Sequence, residues 1–114
     1  MENNGINDYL DNWSNYAAER GGSVRGLLIL PNKQMVWNLA TKDCCIKAAN
    51  GSKLYIRSAD EIEREKAGRF VGFSFERIYI IDTGILSDIT VGILRTMLRS
   101  TTDADCKMYI NGKA

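Results

Sequence analysis

The sequence predicts an α/β fold, in which helices flank a small and largely parallel β-sheet. Short apolar runs such as Leu27 to Leu30 and Ile78 to Ile81 have the length of buried strands. These runs alternate along the chain with helical patterns, an order that is typical of helices packed on a parallel sheet. An Asn50-Gly51 pair between two strand-like segments adds a β-hairpin. With 114 residues, the chain has the length of a single domain.

The composition is that of an ordinary globular protein, with 45% hydrophobic and 25% charged residues. A formal net charge of +1 gives no support for a basic nucleic-acid footprint. The start of the chain, Met1 to Asn4, is polar and does not have the pattern of a signal peptide. Apolar runs fall far short of the roughly 20 residues that span a bilayer. We therefore expect a soluble cytoplasmic protein without a membrane segment.

The cysteines and the absence of histidine exclude several kinds of site. Cys44 and Cys45 are adjacent while Cys106 is far away, so an even disulfide framework is not available. A chain without histidine also lacks the Ser-His-Asp and Cys-His pairs of nucleophilic enzymes, and a zinc site would need a further ligand. We interpret the three cysteines as buried thiols in a reducing compartment.

Residues 1–22 are predicted to form an N-terminal amphipathic helix, and residues 23–114 the α/β core of the same domain. The apolar side of the helix recurs with a helical period and comprises Ile6, Tyr9, Leu10, Trp13, Tyr16 and Ala17. Asn3 or Asn4 is expected to cap its start, and Gly21-Gly22 to end it. The aromatic residues either pack on the sheet or bind a partner protein, so Tyr9, Trp13 and Tyr16 are candidate partner-binding residues.

The first half of the core contains a strand, a short helix and the hairpin. Pro31 ends the strand Leu27 to Leu30, and Asn32 is placed to cap a helix that carries Val36. A continued strand over Gln34 to Trp37 is the alternative. Asn50-Gly51 suits the positive φ angles of a tight turn between the two hairpin strands, which are Cys45 to Ala49 and Lys53 to Arg57.

The second half alternates helices and strands. Ser58 to Glu61 has the spacing of a capping box before a charged helix that continues to Lys66, and the loop Gly68 to Gly72 follows. The strand Ile78 to Ile81 ends at Asp82. Ser87 is expected to cap a helix whose inward residues are Ile89, Ile93, Leu94, Met97 and Leu98. With the last strand, Cys106 to Ile110, this helix makes a βαβ unit that should be right-handed.

Taken in order, these motifs resemble the ATPase core of phage terminase large subunits, the DNA-packaging motors of tailed phages. The similar segments run from Val24 to the end of the chain. They include a strand and proline (Leu27 to Pro31), an Asn-Gly-Ser hairpin (Asn50 to Ile56), an Arg- and Gly-containing loop (Gly68 to Gly72) and a Walker-B-like strand (Phe75 to Asp82). The resemblance implies a degenerate P-loop-NTPase-like fold, truncated relative to the family, in a phage or prophage protein.

The departures from the family pattern bear on catalysis. No phosphate-binding loop of the form G-x-x-x-x-G-K-[ST] occurs in the chain, although Gly21 to Gly26 is rich in glycine. Asp82 matches the family's Mg²⁺-binding aspartate, but Thr83 stands where the catalytic glutamate should be, and a threonine is not a general base near neutral pH. Asp82 is therefore a candidate metal ligand or, alternatively, a capping residue, and hydrolysis by this chain alone is not expected.

Three functions remain open from the sequence. The first is a non-catalytic protein that binds a protein partner, such as a DNA-packaging or other nucleic-acid machine, or another copy of itself. Its candidate contacts are the three aromatic residues of the first helix together with Arg69 and Phe70. The second is a nucleic-acid-binding accessory protein that uses Arg69, Arg95 and Arg99, which a salt-dependent affinity for DNA would reveal. In the third, a partner supplies the phosphate loop and the chain completes a shared Mg-ATP site.

Overall fold

A five-stranded mixed sheet lies at the centre of the protein in the computed structural model, which describes residues 5–20, 23–39, 44–65, 68–70, 72–81, 84–98 and 106–110. The strands are β1 (Arg25–Leu30), β2 (Cys45–Lys47), β3 (Lys53–Ser58), β4 (Arg77–Ile80) and β5 (Lys107–Ile110). The helices are α1 (Ile6–Glu19), α2 (Lys33–Leu39), α3 (Ala59–Glu65) and α4 (Asp88–Thr96), with a 3₁₀ turn at Gly68–Phe70. The predicted α/β class and largely parallel sheet are confirmed.

The strand order is β2-β3-β1-β4-β5. β1 is parallel to both β3 and β4, β4 is parallel to β5, and only the edge strand β2 is antiparallel, to β3. The chain crosses from β1 to β3 in one direction and then returns past β1 to β4 and β5. The sheet is therefore doubly wound, with β1 and β4 as neighbours at the point where the direction reverses.

Helices cover both faces of the sheet. On one face, called the α1 face here, α1 and α2 pack on Leu28 and Leu30 of β1. On the opposite α4 face, α3 and α4 pack on Leu27 and Ile29 of the same strand. A strand buried on both faces explains why β1 is a continuous apolar run and not an alternating pattern. None of the helices within the described ranges has the length and apolar character needed to cross a bilayer.

The first helix forms as predicted but begins differently. Its N-cap position is Gly5, which has a φ of 89°, so the predicted cap at Asn3 or Asn4 is wrong. Trp13 packs directly over Gly26 of β1. A Cβ at Gly26 would lie 2.7 Å from the Trp13 ring and 2.9 Å from Leu54, so only glycine allows this approach of helix and strand.

The predicted hairpin is present, with a longer turn than expected. The Gly51 N–H donates to the Ala48 carbonyl at 3.0 Å, and the Ala48 N–H donates to the Ser52 carbonyl at 2.8 Å. Among the described non-glycine residues, only Cys44 has a positive φ, so Gly51, at 91°, takes the left-handed position without Asn50. The Asn50 side chain instead donates to the Ala17 carbonyl at 2.9 Å and ties the hairpin to α1.

In the first turn of α4, the residue predicted to point inward is wrong. Thr90 and Leu94 are fully buried and Met97 is 5% exposed, whereas Ile89 is 69% exposed. Residues 90, 94 and 97 follow the helical spacing of three and four, and Ile89 lies about 100° to one side of that stripe. Thr90 rather than Ile89 therefore takes the inward position in the first turn.

Candidate functional site

The first candidate location for a ligand site is the carboxyl end of β1 and β4, where the direction of the chain across the sheet reverses. In open α/β sheets, ligands bind outside the carboxyl ends of the strands, where neighbouring strands lead to helices on opposite faces. Here β1 leads into α2 on the α1 face, and β4 leads into α4 on the α4 face. The predicted metal ligand, Asp82, follows this end of β4 after Ile81, but it lies outside the described residues, as does Thr83.

Polar side chains at this end of the sheet act as helix caps. Asn32 Oδ1 accepts from the Met35 N–H at 3.0 Å, which confirms the predicted cap of α2 and excludes a strand there. For α3, Ser58 Oγ accepts from the backbone N–H of Glu61 at 3.3 Å. These side chains satisfy N–H groups of the chain's own helices, which a bound phosphate would otherwise use.

An internal carboxylate occupies the start of α4. Glu63 Oε1 of α3 accepts from the Ser87 backbone N–H at 2.9 Å and from the Ser87 hydroxyl at 3.2 Å. Ser87 Oγ in turn accepts from the Thr90 N–H at 3.3 Å, which confirms the predicted cap. The partial positive charge of a helix start favours such an anion. Within the described ranges, no three histidine, cysteine or acidic side chains come together to hold a metal ion.

The aromatic residues predicted to face a partner lie in the protein core. Tyr9, Trp13 and Tyr16 are 5%, 2% and 7% exposed, because they cover the α1 face of the sheet. The two alternatives left open by the sequence thus resolve in favour of packing on the sheet. These side chains do not present a docking surface, which corrects their assignment as partner-binding residues.

Phe70 is also buried, as part of an aromatic cluster on the α4 face that comprises Tyr55, Phe70, Phe73 and Phe75. The ring centroids in this cluster lie 5.3 to 6.2 Å apart. Arg57 stacks over Phe70 at 5.3 Å, and Arg25 stacks over Phe73 at 5.1 Å. Phe70 therefore anchors the 3₁₀ turn and is not an exposed contact, while Tyr55 and Phe73 remain partly accessible to solvent.

A row of basic residues lies at the opposite, amino end of the sheet. All four parallel strands begin with a basic residue, and these residues are Arg25, Lys53, Arg77 and Lys107. Lys53 is the register partner of both Arg25 and Lys47, and Arg77 is the partner of Lys107. Each predicted parallel strand has a basic residue at its first position or within two residues of it, and this pattern is the sequence signal for the row.

The arginines that were predicted to bind nucleic acid are only partly described. Arg95 is exposed in the last turn of α4, at the helix end that meets the amino end of the sheet through a hydrogen bond from the Phe75 N–H to the Met97 carbonyl. Arg99 and the side chain of Arg69 lie outside the described residues. The structure therefore places the last turn of α4, which carries Arg95, at the amino end of the sheet, and gives no position for the other two side chains.

Arg77 differs from its basic neighbours because it is buried. It is 5% exposed, with its guanidinium carbon 3.7 Å from the centroid of the Tyr16 ring. Its Nη1 also donates to the Glu76 carbonyl at 3.0 Å. Tyr79 lies two residues further along β4. Burial raises the pKa of its hydroxyl above the ordinary value, although the positive charge of Arg77 acts in the opposite direction. These contacts identify Arg77 as a structural cation.

An open groove of about 360 Å³ separates α1 from the hairpin. Trp13, Ala17, Ile46 and Ala48 give it a mainly apolar lining. Its lining also includes the polar residues Ser14, Arg20, Lys47 and Asn50.

Comparisons of this chain with protein-family models, with curated proteins and with solved structures find no match.

Proposed function

We propose that this chain is a non-catalytic phage or prophage protein with a terminase-like core, and that it acts in the bacterial cytoplasm by binding a protein partner. The order of the motifs from Val24 onward supports the terminase-like ancestry. The observation that carries the non-catalytic part is the Glu63 carboxylate at the start of α4. A helix start already filled by an internal anion, in a chain without a phosphate loop, is poorly suited to bind a nucleotide.

Exposed apolar side chains support the protein partner. Trp37 of α2 is 57% exposed and Ile89 of α4 is 69% exposed, although neither is needed to cover the sheet. Tryptophan is among the residues that dominate binding energy at protein interfaces. We therefore assign Trp37 as the principal contact of the partner, in place of the buried aromatic residues of α1.

The test is a pull-down with tagged protein from nuclease-treated lysate of an infected bacterial host, followed by calorimetry with the purified partner. A stoichiometric protein that stays bound through nuclease and salt is the expected result. Trp37→Ala should weaken that complex by roughly 30-fold, the effect of losing an interface hot spot. Gln34→Ala, an exposed change on the same helix, is the matched control and should have little effect. Recovery that disappears with nuclease would overturn the proposal.

A nucleotide enters this proposal only through the partner. If the partner supplies a phosphate loop, Asp82 would hold the Mg²⁺ of a shared site. Binding of Mg-ATP to the complex, but not to the isolated chain, and its loss in Asp82→Ala would be the signature of that arrangement.

A further inference from the structure

Three basic side chains lie side by side at the amino end of the sheet. Lys53 is the register partner of Lys47 on one side and of Arg25 on the other. Register partners project from the same face of a sheet, and neighbouring strands are about 4.8 Å apart. All three residues are exposed. Because Tyr55, two residues after Lys53, packs in the α4-face cluster, the row projects from the α4 face.

Like charges that face each other across neighbouring strands destabilise a sheet. The end of α4 adjoins the same end of the sheet through the hydrogen bond from the Phe75 N–H to the Met97 carbonyl, and its partial negative charge favours cations there. The nearby carboxylate of Glu76 accepts a hydrogen bond from the backbone N–H of Arg25 at 3.2 Å. Three adjacent cations at one end of the sheet are suited to an anionic ligand, which would reduce the repulsion between them.

Aromatic rings adjoin the row on the same face. Arg25 lies 5.1 Å over the Phe73 ring, and the Tyr55 and Phe73 centroids are 5.7 Å apart at nearly perpendicular planes. Both rings are only partly buried. Proteins that bind single-stranded nucleic acid combine cations along the backbone with aromatic side chains that stack on the bases. A duplex keeps its base faces inside and would use only the cations.

We propose that this basic aromatic edge, formed by Arg25, Lys47, Lys53, Tyr55 and Phe73, binds single-stranded nucleic acid. The cations contact phosphates, and the two rings take the faces of unpaired bases. This function goes beyond the binding of a protein partner at Trp37 and does not depend on it.

The test uses the full chain and fluorescently labelled oligonucleotides of roughly 15 nucleotides, a length that covers one small single-strand site. Anisotropy titrations with single-stranded DNA, single-stranded RNA and duplex DNA should show the tightest binding to a single strand. Its logarithmic salt slope should reflect about 0.7 counterions for each phosphate contact. The DNA and RNA arms identify which single strand is preferred.

Charge variants test the row directly. Arg25→Gln with Lys53→Gln should weaken single-strand binding roughly tenfold or more at low salt and reduce the salt slope by about 1.4, as expected for two lost contacts. Lys33→Gln, an exposed cation at the start of α2 and the other end of the sheet, is the matched control and should leave both quantities unchanged. Phe73→Leu should weaken binding roughly tenfold without changing the salt slope, because it removes stacking and not charge.

The single variant Lys53→Gln distinguishes a ligand-binding site from a row of cations that has no ligand. Relieving the like-charge repulsion should raise Tm by roughly 1–5 °C while the affinity falls, so stability and binding change in opposite directions. The proposal is overturned if no strand binds at low salt, if duplex binds as well as single strands, if Lys33→Gln matches the double variant, or if Lys53→Gln lowers Tm. Retained capture of the protein partner by the double variant would keep the two functions distinct.

Discussion

The two ends of the sheet differ in the charged residues that open their helices and strands, although the net charge of the whole chain is only +1. Acidic residues occupy the first turns of three helices at the carboxyl end, namely Asp8, Asp60, Glu61 and Asp88. Basic residues occupy the four strand starts at the amino end. Helix dipoles explain the acidic end, because every helix start favours a negative charge. The negative end of the α4 dipole lies at the basic end and favours cations there, so helix dipoles contribute at both ends.

This difference separates side chains that the fold uses from side chains that it leaves available. At the carboxyl end, Asn32, Ser58 and Ser87 cap helices, and Glu63 links α3 to α4. At the amino end, Arg77 is part of the core, but Arg25 and Lys53 are exposed. A ligand is therefore more readily accommodated at the amino end, even though α/β sheets commonly bind ligands at the other.

The largest expected effect comes from the packing of α1. Trp13→Ala should lower the free energy of unfolding by about 3–5 kcal/mol, because it removes a 2% exposed side chain that covers Gly26. Trp37→Ala is the matched control on an exposed tryptophan and should change stability by no more than about 0.5 kcal/mol. Urea denaturation measures both. Equal losses would mean that α1 does not pack on the sheet as described.

Replacing the buried cation at the amino end should have the next largest effect. Arg77→Met keeps much of the side-chain volume but removes the charge over the Tyr16 ring, at an expected cost of about 2 kcal/mol. Arg95→Met, on the exposed side of α4, should cost much less. Thermal denaturation compares the pair. A neutral Arg77→Met would place Arg77 with the available cations and remove the distinction drawn between it and Arg25.

The carboxyl end should respond to the loss of a cap. Ser87→Ala is expected to cost about 1 kcal/mol of unfolding free energy, since it removes the acceptor for the Thr90 N–H. Glu63→Gln should cost about 0.5 kcal/mol, because the amide still accepts hydrogen bonds but loses the charge at the helix start. Urea melts of both variants and of the exposed control Ser14→Ala test this order. An unchanged Ser87→Ala variant would contradict the capping role.

A smaller effect concerns alkaline pH. Burial raises the pKa of Tyr79 in the folded state above the ordinary value of 10.0, so the fold favours the neutral hydroxyl, which donates to Asn12 Oδ1 at 2.6 Å. This contribution is fully present below pH 10.0 and is lost as the pH rises further, because the unfolded chain then ionises first. Tyr79→Phe should therefore lose less stability than the wild type between about pH 9 and pH 11. If the unfolding free energies of Tyr79→Phe and the wild type fell in parallel with rising pH, a raised pKa of Tyr79 would be contradicted.

Local sequence signals predicted most of the elements but few of the side-chain environments. Caps at Asn32 and Ser87 were readable because a cap joins residues three apart in the chain. The exposure of Ile89 was not readable, since an apolar residue one position from the inward stripe fits the same pattern. The aromatic stripe of α1 left two alternatives, because a sheet and a partner both favour large apolar side chains.

The sequence by itself determined the α/β class, the starts of α2, α3 and α4, and the hairpin, because these depend on residues close together in the chain. The tertiary structure decided which strands are neighbours and in what register. That choice set Lys53 between Lys47 and Arg25, and it brought Glu63 to the start of α4. Strand pairing and register depend on which apolar side chains are buried on the two faces of the folded sheet. A row of cations across three strands therefore exists only once the sheet has formed.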